Sequence, residues 1–185
     1  MKAAAAEAAR IVNGVPDQGP DQLDGPTPCG DWDLRTLLNH AILWTSYSAE
    51  RRAYGESVAE DLMSKDFTAD PGFREDYEAQ LNKAVQAWSD PKRWEGDLKV
   101  MGDATPAADV AAMLIMEMVL HGWDIAKATG QEYVCDDAVA RALLETVQAQ
   151  AELFRKYQGF ADPVDVPSDA TQFDQALSLS GRDPN

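Results

Sequence analysis

Apolar residues recur along much of this chain at steps of three and four, the spacing of one face of an α-helix. The first such stretch covers roughly residues 2–13 and is alanine-rich. It stops before GVPDQGPDQLDGPTPCGDW, whose four prolines and four glycines break regular structure. A second helix is predicted from Asp33, a good N-cap, with Leu37, His40, Trp44 and Tyr47 on one side. A third opens at Asp70-Pro71, read as cap and first-turn proline, and carries the stripe Phe73, Tyr77, Leu81, Ala84, Val85 and Trp88 before ending at Asp90-Pro91. Residues 91–104 are irregular or a short hairpin turning at Gly96 and Gly102. A fourth helix should begin at Thr105-Pro106 and end at Gly130. Its centre is apolar nearly all round, which makes it the most buried. A fifth spans about Asp137 to Tyr157 and ends near Gly159; the polar tail beyond it has one helical patch, FDQALSL. No internal repeat and no recurring alternation is present. The expected fold is all-α: a four-helix bundle over residues 1–160 with an extra C-terminal helix, a long crossover between helices one and two, and a polar tail, 161–185, packed on it.

Composition narrows the partners. Sixteen basic against 32 acidic residues give a net charge of −16, with 45% of the 185 residues hydrophobic. Such a surface argues against nucleic acid and against an anionic membrane, since both need a basic patch. No segment approaches the roughly 20 apolar residues of a membrane span. The opening MKAAAAEAARIV is interrupted by Glu7 and Arg10, so it reads as a first helix rather than a leader, and the expected location is cytoplasmic. Cys29 and Cys135 lack metal or redox spacing and read as reduced structural thiols; for Cys29, a nucleophile near a helix N-terminus is the alternative.

The candidate chemistry lies in MLIMEMVLHGWD, residues 113–124. Glu117 is embedded among apolar residues with no Lys or Arg within a turn. His121, four residues on, shares its side of the helix. The only other histidine, His40, is on the inward face of helix two. Two readings fit. Two imidazoles and a carboxylate can hold a zinc ion with a fourth position open, which would also compensate a buried charge. Alternatively, Glu117 and His121 hydrogen-bond each other and His40 is a core residue. Asp124 either orients a ligand imidazole or ties down the helix end. Trp44 and Tyr47 either line the pocket mouth or belong to the core; Trp32 and Trp123 read as structural.

Two stretches carry a family resemblance: TPCGDWDLRTLLNH (27–40) and EMVLHGWDIAKATGQ (117–131). Together they resemble the metal-binding domain of mycothiol-dependent maleylpyruvate isomerases, in the DinB-like superfamily. The resemblance covers most of the chain. It implies a DinB-like four-helix bundle and a divalent metal, usually zinc, on His40, Glu117 and His121. It also implies a low-molecular-weight thiol as cofactor or co-substrate, mycothiol in actinobacteria. The isomerases carry a further C-terminal domain that supplies a catalytic arginine. No such domain is expected within these 185 residues, so maleylpyruvate isomerisation itself is not the expected reaction.

The leading expectation is a metal-dependent thiol S-transferase or isomerase-related enzyme acting on a small electrophile, with catalytic residues unassigned. The net charge favours neutral electrophiles. A second reading places Fe(II) on the same triad. A third is a non-catalytic, metal-stapled bundle acting as a dimeric binding module.

Overall fold

The computed structural model describes residues 1–16, 23–100 and 102–185. The chain divides into two compact units, Met1–Val134 and Cys135–Asn185. Among the described residues no helix is long and apolar enough to cross a membrane.

In the first unit, α1 (Lys2–Asn13) buries Ala4, Ala5, Ala8, Ala9, Ile11 and Val12. These small side chains let neighbouring backbones come close. Helix α2 (Leu34–Ile42) is capped as its sequence predicts, Asp33 Oδ1 accepting from the Thr36 N–H at 2.7 Å. It runs without a break through one π-helical turn, Leu43–Tyr47, into α3 (Ser48–Ala53). Hydroxyls satisfy carbonyls beside that wider turn. Thr45 Oγ1 donates to Ala41 O and Ser46 Oγ to Ile42 O, each at 2.6 Å, and both side chains are buried.

After a short α4 (Glu60–Met63), α5 (Phe73–Trp88) buries Phe73, Tyr77, Leu81, Ala84 and Trp88 from the expected stripe. Its start departs from expectation. Asp70 Oδ1 accepts from the Gly72 N–H at 2.9 Å in a tight turn, so Pro71 precedes the helix. A two-stranded antiparallel hairpin follows, β1 (Asp97–Val100) against β2 (Asp103–Pro106). The turn requires a positive φ at Gly102, 98°. Strand β2 takes up Thr105 and Pro106, the expected cap and first helical residue, and α6 runs Ala107–Ala128. Its first N–H, on Ala107, is satisfied by Gly96 O at 2.9 Å instead of by a side-chain cap.

Fourteen of the 22 residues of α6 are buried, as its apolar circumference predicts. It ends in the motif expected at Gly130: φ there is 68°, the Gln131 N–H donates to Ala126 O and the Gly130 N–H to Lys127 O. Helix α1 packs on α5 and α6, and the α2–α3 rod packs on the same two. Helix α1 and the α2–α3 rod thus share the same two neighbours, and the expected crossover is the connection between them. Residues 17–22 of that connection lie outside the described residues.

In the second unit, α7 (Asp137–Lys156) is capped by Asp136 and packs on α8 (Gln172–Leu179), the helical patch expected in the tail. The Val164 N–H donates to Ser178 O at 3.2 Å and Arg155 Nη1 to Leu179 O at 3.0 Å.

Candidate metal centre

Helix α2 presents His40 and α6 presents Glu117 and His121, and the three side chains meet inside the first unit. Glu117 Oε2 lies 3.1 Å from His40 Nε2 and 3.2 Å from His121 Nε2. The ring centroids of the two histidines are 4.8 Å apart. A tetrahedral ion with bonds of about 2.0–2.2 Å separates its ligand atoms by about 3.3–3.6 Å, so these atoms need little adjustment to share one. The site is a recess rather than a sealed core: Glu117 and His40 keep 25% and 26% of their side chains exposed, His121 12%.

The hydrogen-bond inventory tests whether an ion fits. His121 Nδ1 lies 3.2 Å from Oδ2 of Asp124, which is wholly buried. With Asp124 accepting from Nδ1–H, a bond from Nε2 to Glu117 requires a second proton, that is, an imidazolium. The pKa values follow this arrangement. Burial pushes the His121 pKa down, but its bonds to Asp124, Cys29 and Glu117 and the Glu117 charge outweigh that and raise it well above 6.5. Burial pushes the Glu117 carboxyl up, but the bonds and charges of His121 and His40 hold it well below the ordinary range. A divalent ion suits the same atoms without the extra proton: Nδ1–H stays on Asp124 and the Nε2 lone pair faces the ion.

Other residues fall into place around the triad. Trp32 lies against both imidazoles, its ring centroid 4.7 Å from His40 and 6.0 Å from His121, so the tryptophan read as structural also covers the site. It is held there by the turn before α2, where Thr27 Oγ1 donates to Trp32 O at 2.9 Å and accepts from the Cys29 N–H at 3.1 Å. Cys29 Sγ is 4.0 Å from His121 Nδ1, and Cys29, His121 and Asp124 form a second set of potential ligands. The Trp44 ring centroid is 6.2 Å from that of His40.

Tyr47 is placed elsewhere. Its ring stacks on Phe67 at 5.2 Å and lines a narrow cleft with Ile42, Phe73 and Tyr77. The π-turn, which adds one residue to the helix, rotates it off the His40 side. Arg52, which the sequence reading passed over, takes that side instead. Its guanidinium carbon is 5.7 Å from the Trp44 ring centroid, and its charge interacts with that of Glu117. Only the extra residue of the π-turn, invisible to a 3.6-residue count, could have pointed to it.

Comparison with known proteins agrees with this architecture. Two uncharacterized proteins from two strains of Mycobacterium tuberculosis are each 25% identical over 166 residues, covering 88% of this chain and 86% of theirs. The crystal structure of a histidine-to-alanine mutant of the mycothiol-dependent maleylpyruvate isomerase matches with a TM-score of 0.59 at 14% identity. The match covers 81% of this chain and 65% of that one, and at this identity it shows a shared fold. The family model described as the mycothiol maleylpyruvate isomerase N-terminal domain matches residues 1–126, including both helices that carry the triad, and the chain belongs to that family.

Proposed function

We propose that the chain binds one divalent metal ion, zinc by its donor set, through His40 Nε2, Glu117 Oε2 and His121 Nε2, and that it acts as a thiol-dependent S-transferase or isomerase-related enzyme on a small electrophile. The thiol is a low-molecular-weight one of the mycothiol type. The observation that carries this reading is the placement of Glu117 Oε2 within 3.1 and 3.2 Å of imidazole nitrogens from two different helices. When bound, such an ion supplies a Lewis acid that keeps a coordinated thiol deprotonated at neutral pH. The protein's own groups do the rest. Asp124 holds the Nδ1 proton of His121 and so fixes its tautomer. Trp32 covers both imidazoles and excludes water from one side. The recess leaves the opposite side open to a thiol and its acceptor.

The test replaces zinc with cobalt and titrates with mycothiol while recording the visible spectrum. About one ion per chain and a new sulfur-to-cobalt charge-transfer band are expected. A spectrum unchanged at millimolar thiol, with cobalt still bound, would show that the open position takes no thiol and give the lead to the metal-stapled module.

A further inference from the structure

Counted from His40 in turns of 3.6 residues, the inward side of the α2–α3 rod would continue through about residues 44, 47 and 51. The π-turn at Leu43–Tyr47 inserts one residue, so the later positions move on by one, to Ser48 and Arg52. The side chains follow the shifted count. Arg52 Nε donates to Ser48 Oγ at 3.1 Å, and the Arg52 guanidinium lies over the Trp44 ring, which neighbours His40. Arg51, one residue earlier, is turned to the surface and pairs with Glu56 at 3.1 Å. Arg52 is partly buried, yet among the described residues no carboxylate comes within 4.0 Å of it. Glu117 acts on it only through the longer-range attraction of its charge. A guanidinium withdrawn from water without a paired carboxylate is a free two-pronged donor.

We infer that Arg52, carried to the rim of the site by the π-turn and backed by Trp44, is the receptor for a carboxylate on the electrophilic substrate. This rests on the metal–thiol reading for the electrophile that carries the carboxylate. With both imidazoles neutral, Glu117 and Asp124 at −1 each, a divalent ion at +2 and Arg52 at +1 sum to +1. A bound thiolate brings that to zero, and a substrate carboxylate then pairs locally with the guanidinium fork, which has no carboxylate of its own among the described residues. The chain's net charge of −16 favours neutral electrophiles at long range. That field is screened beyond roughly 8–10 Å, whereas a guanidinium fork acts at contact distance, so the fork sets the preference where the carboxylate docks.

Two unreactive probes decide it: 4-oxo-4-phenylbutanoate and its methyl ester, titrated separately into zinc-loaded protein while tryptophan fluorescence is read. The acid should bind at least about tenfold tighter than the ester, the scale of a charge-assisted hydrogen-bonded pair. In Arg52→Met the acid-to-ester ratio should fall to near one with zinc content unchanged. Arg52→Lys, which keeps the charge but loses the fork, should lower it severalfold, and serves as the deciding variant if Arg52→Met does not fold. A ratio near one in the wild type, or one that persists in whichever variant decides, overturns the assignment. The cobalt–thiol band is recorded on the same wild-type preparation. If it is absent while the acid preference depends on Arg52, the thiol reading fails and the anion receptor stands.

Discussion

His121 has partners at both ring nitrogens, and this makes the site respond to protons and metal in opposite ways. In metal-free protein its raised pKa adds stability that is fully present below pH 6.5 and is lost as pH rises through the raised value. Glu117, with its lowered pKa, adds stability present above pH 4.5 and lost as pH falls through the lowered value. Chelated protein should therefore be most favoured by this pair between those limits and lose stability on going alkaline. Urea unfolding across pH 5.5–9 measures it, and a flat profile, or the same slope in His121→Gln, would count against the paired imidazolium. Replacing the buried group behind the ring gives a second prediction. Asp124→Asn should weaken metal binding by about 10–100-fold with the fold intact, the usual effect of an outer partner of a ligand imidazole, read by competition with a chromogenic chelator. At this scale the sequence was informative where spacing alone decides: Glu117 and His121 are one helical turn apart, and His40 is on the inward face of its own helix. Trp32 was not legible, because its place depends on the turn at Thr27, and Arg52 was not, because no periodicity announces a π-turn.

Elements are specified by their ends. Asp33 and Asp136 cap α2 and α7 where a short acidic side chain precedes an apolar repeat. The same signal misleads at Asp70-Pro71 and Thr105-Pro106, because tertiary structure uses those residues differently: Asp70 closes a turn onto Gly72, and Thr105 is claimed by a strand partner, Leu98. For residues 91–104 the sequence leaves irregular chain and a short hairpin both open; the structure takes the hairpin, and four residues of β1 are too few for alternation alone to decide between the two. Two substitutions probe element packing. Gly122 sits in the middle of α6 where a Cβ would come 2.9 Å from the Tyr133 ring. Gly122→Ala should lower stability, because overpacking of about 2 kcal/mol exceeds the roughly 1 kcal/mol gained in helix propensity. In the other unit the turn after α7 holds Gln158 at φ 60°, where glycine is the usual residue, and the Gly159 N–H donates to Phe154 O at 2.8 Å. Gln158→Gly should raise stability by roughly 0.5–1 kcal/mol by removing the left-handed strain. Denaturant midpoints at constant slope measure both.

For the molecule as a whole, the candidate centre ties together parts of the chain that are far apart in sequence. His40 and Glu117 are 77 positions apart, and the helices that carry them are neighbours in the bundle. An ion held by both helices binds the folded chain and not the unfolded one, so it must stabilise the fold by mass action. At free metal about 100-fold above Kd the gain is about 2.7 kcal/mol, which for a unit of this size raises Tm by on the order of 10 °C. The acidic surface supplies a competing explanation for any such rise, because divalent cations also relieve the self-repulsion of a chain at −16. The two are separable by ion type. Magnesium prefers oxygen ligands and keeps its water, so it can screen surface carboxylates but gains little from two imidazoles. Zinc takes imidazole nitrogen readily. Melts of chelator-stripped protein should therefore shift with micromolar zinc and not with the same concentration of magnesium, and the zinc shift should vanish in the double variant His40→Ala, His121→Ala. Equal shifts with both ions, or a zinc shift that survives in the double variant, would place the stabilisation on the acidic surface and remove the energetic case for a metal shared between α2 and α6.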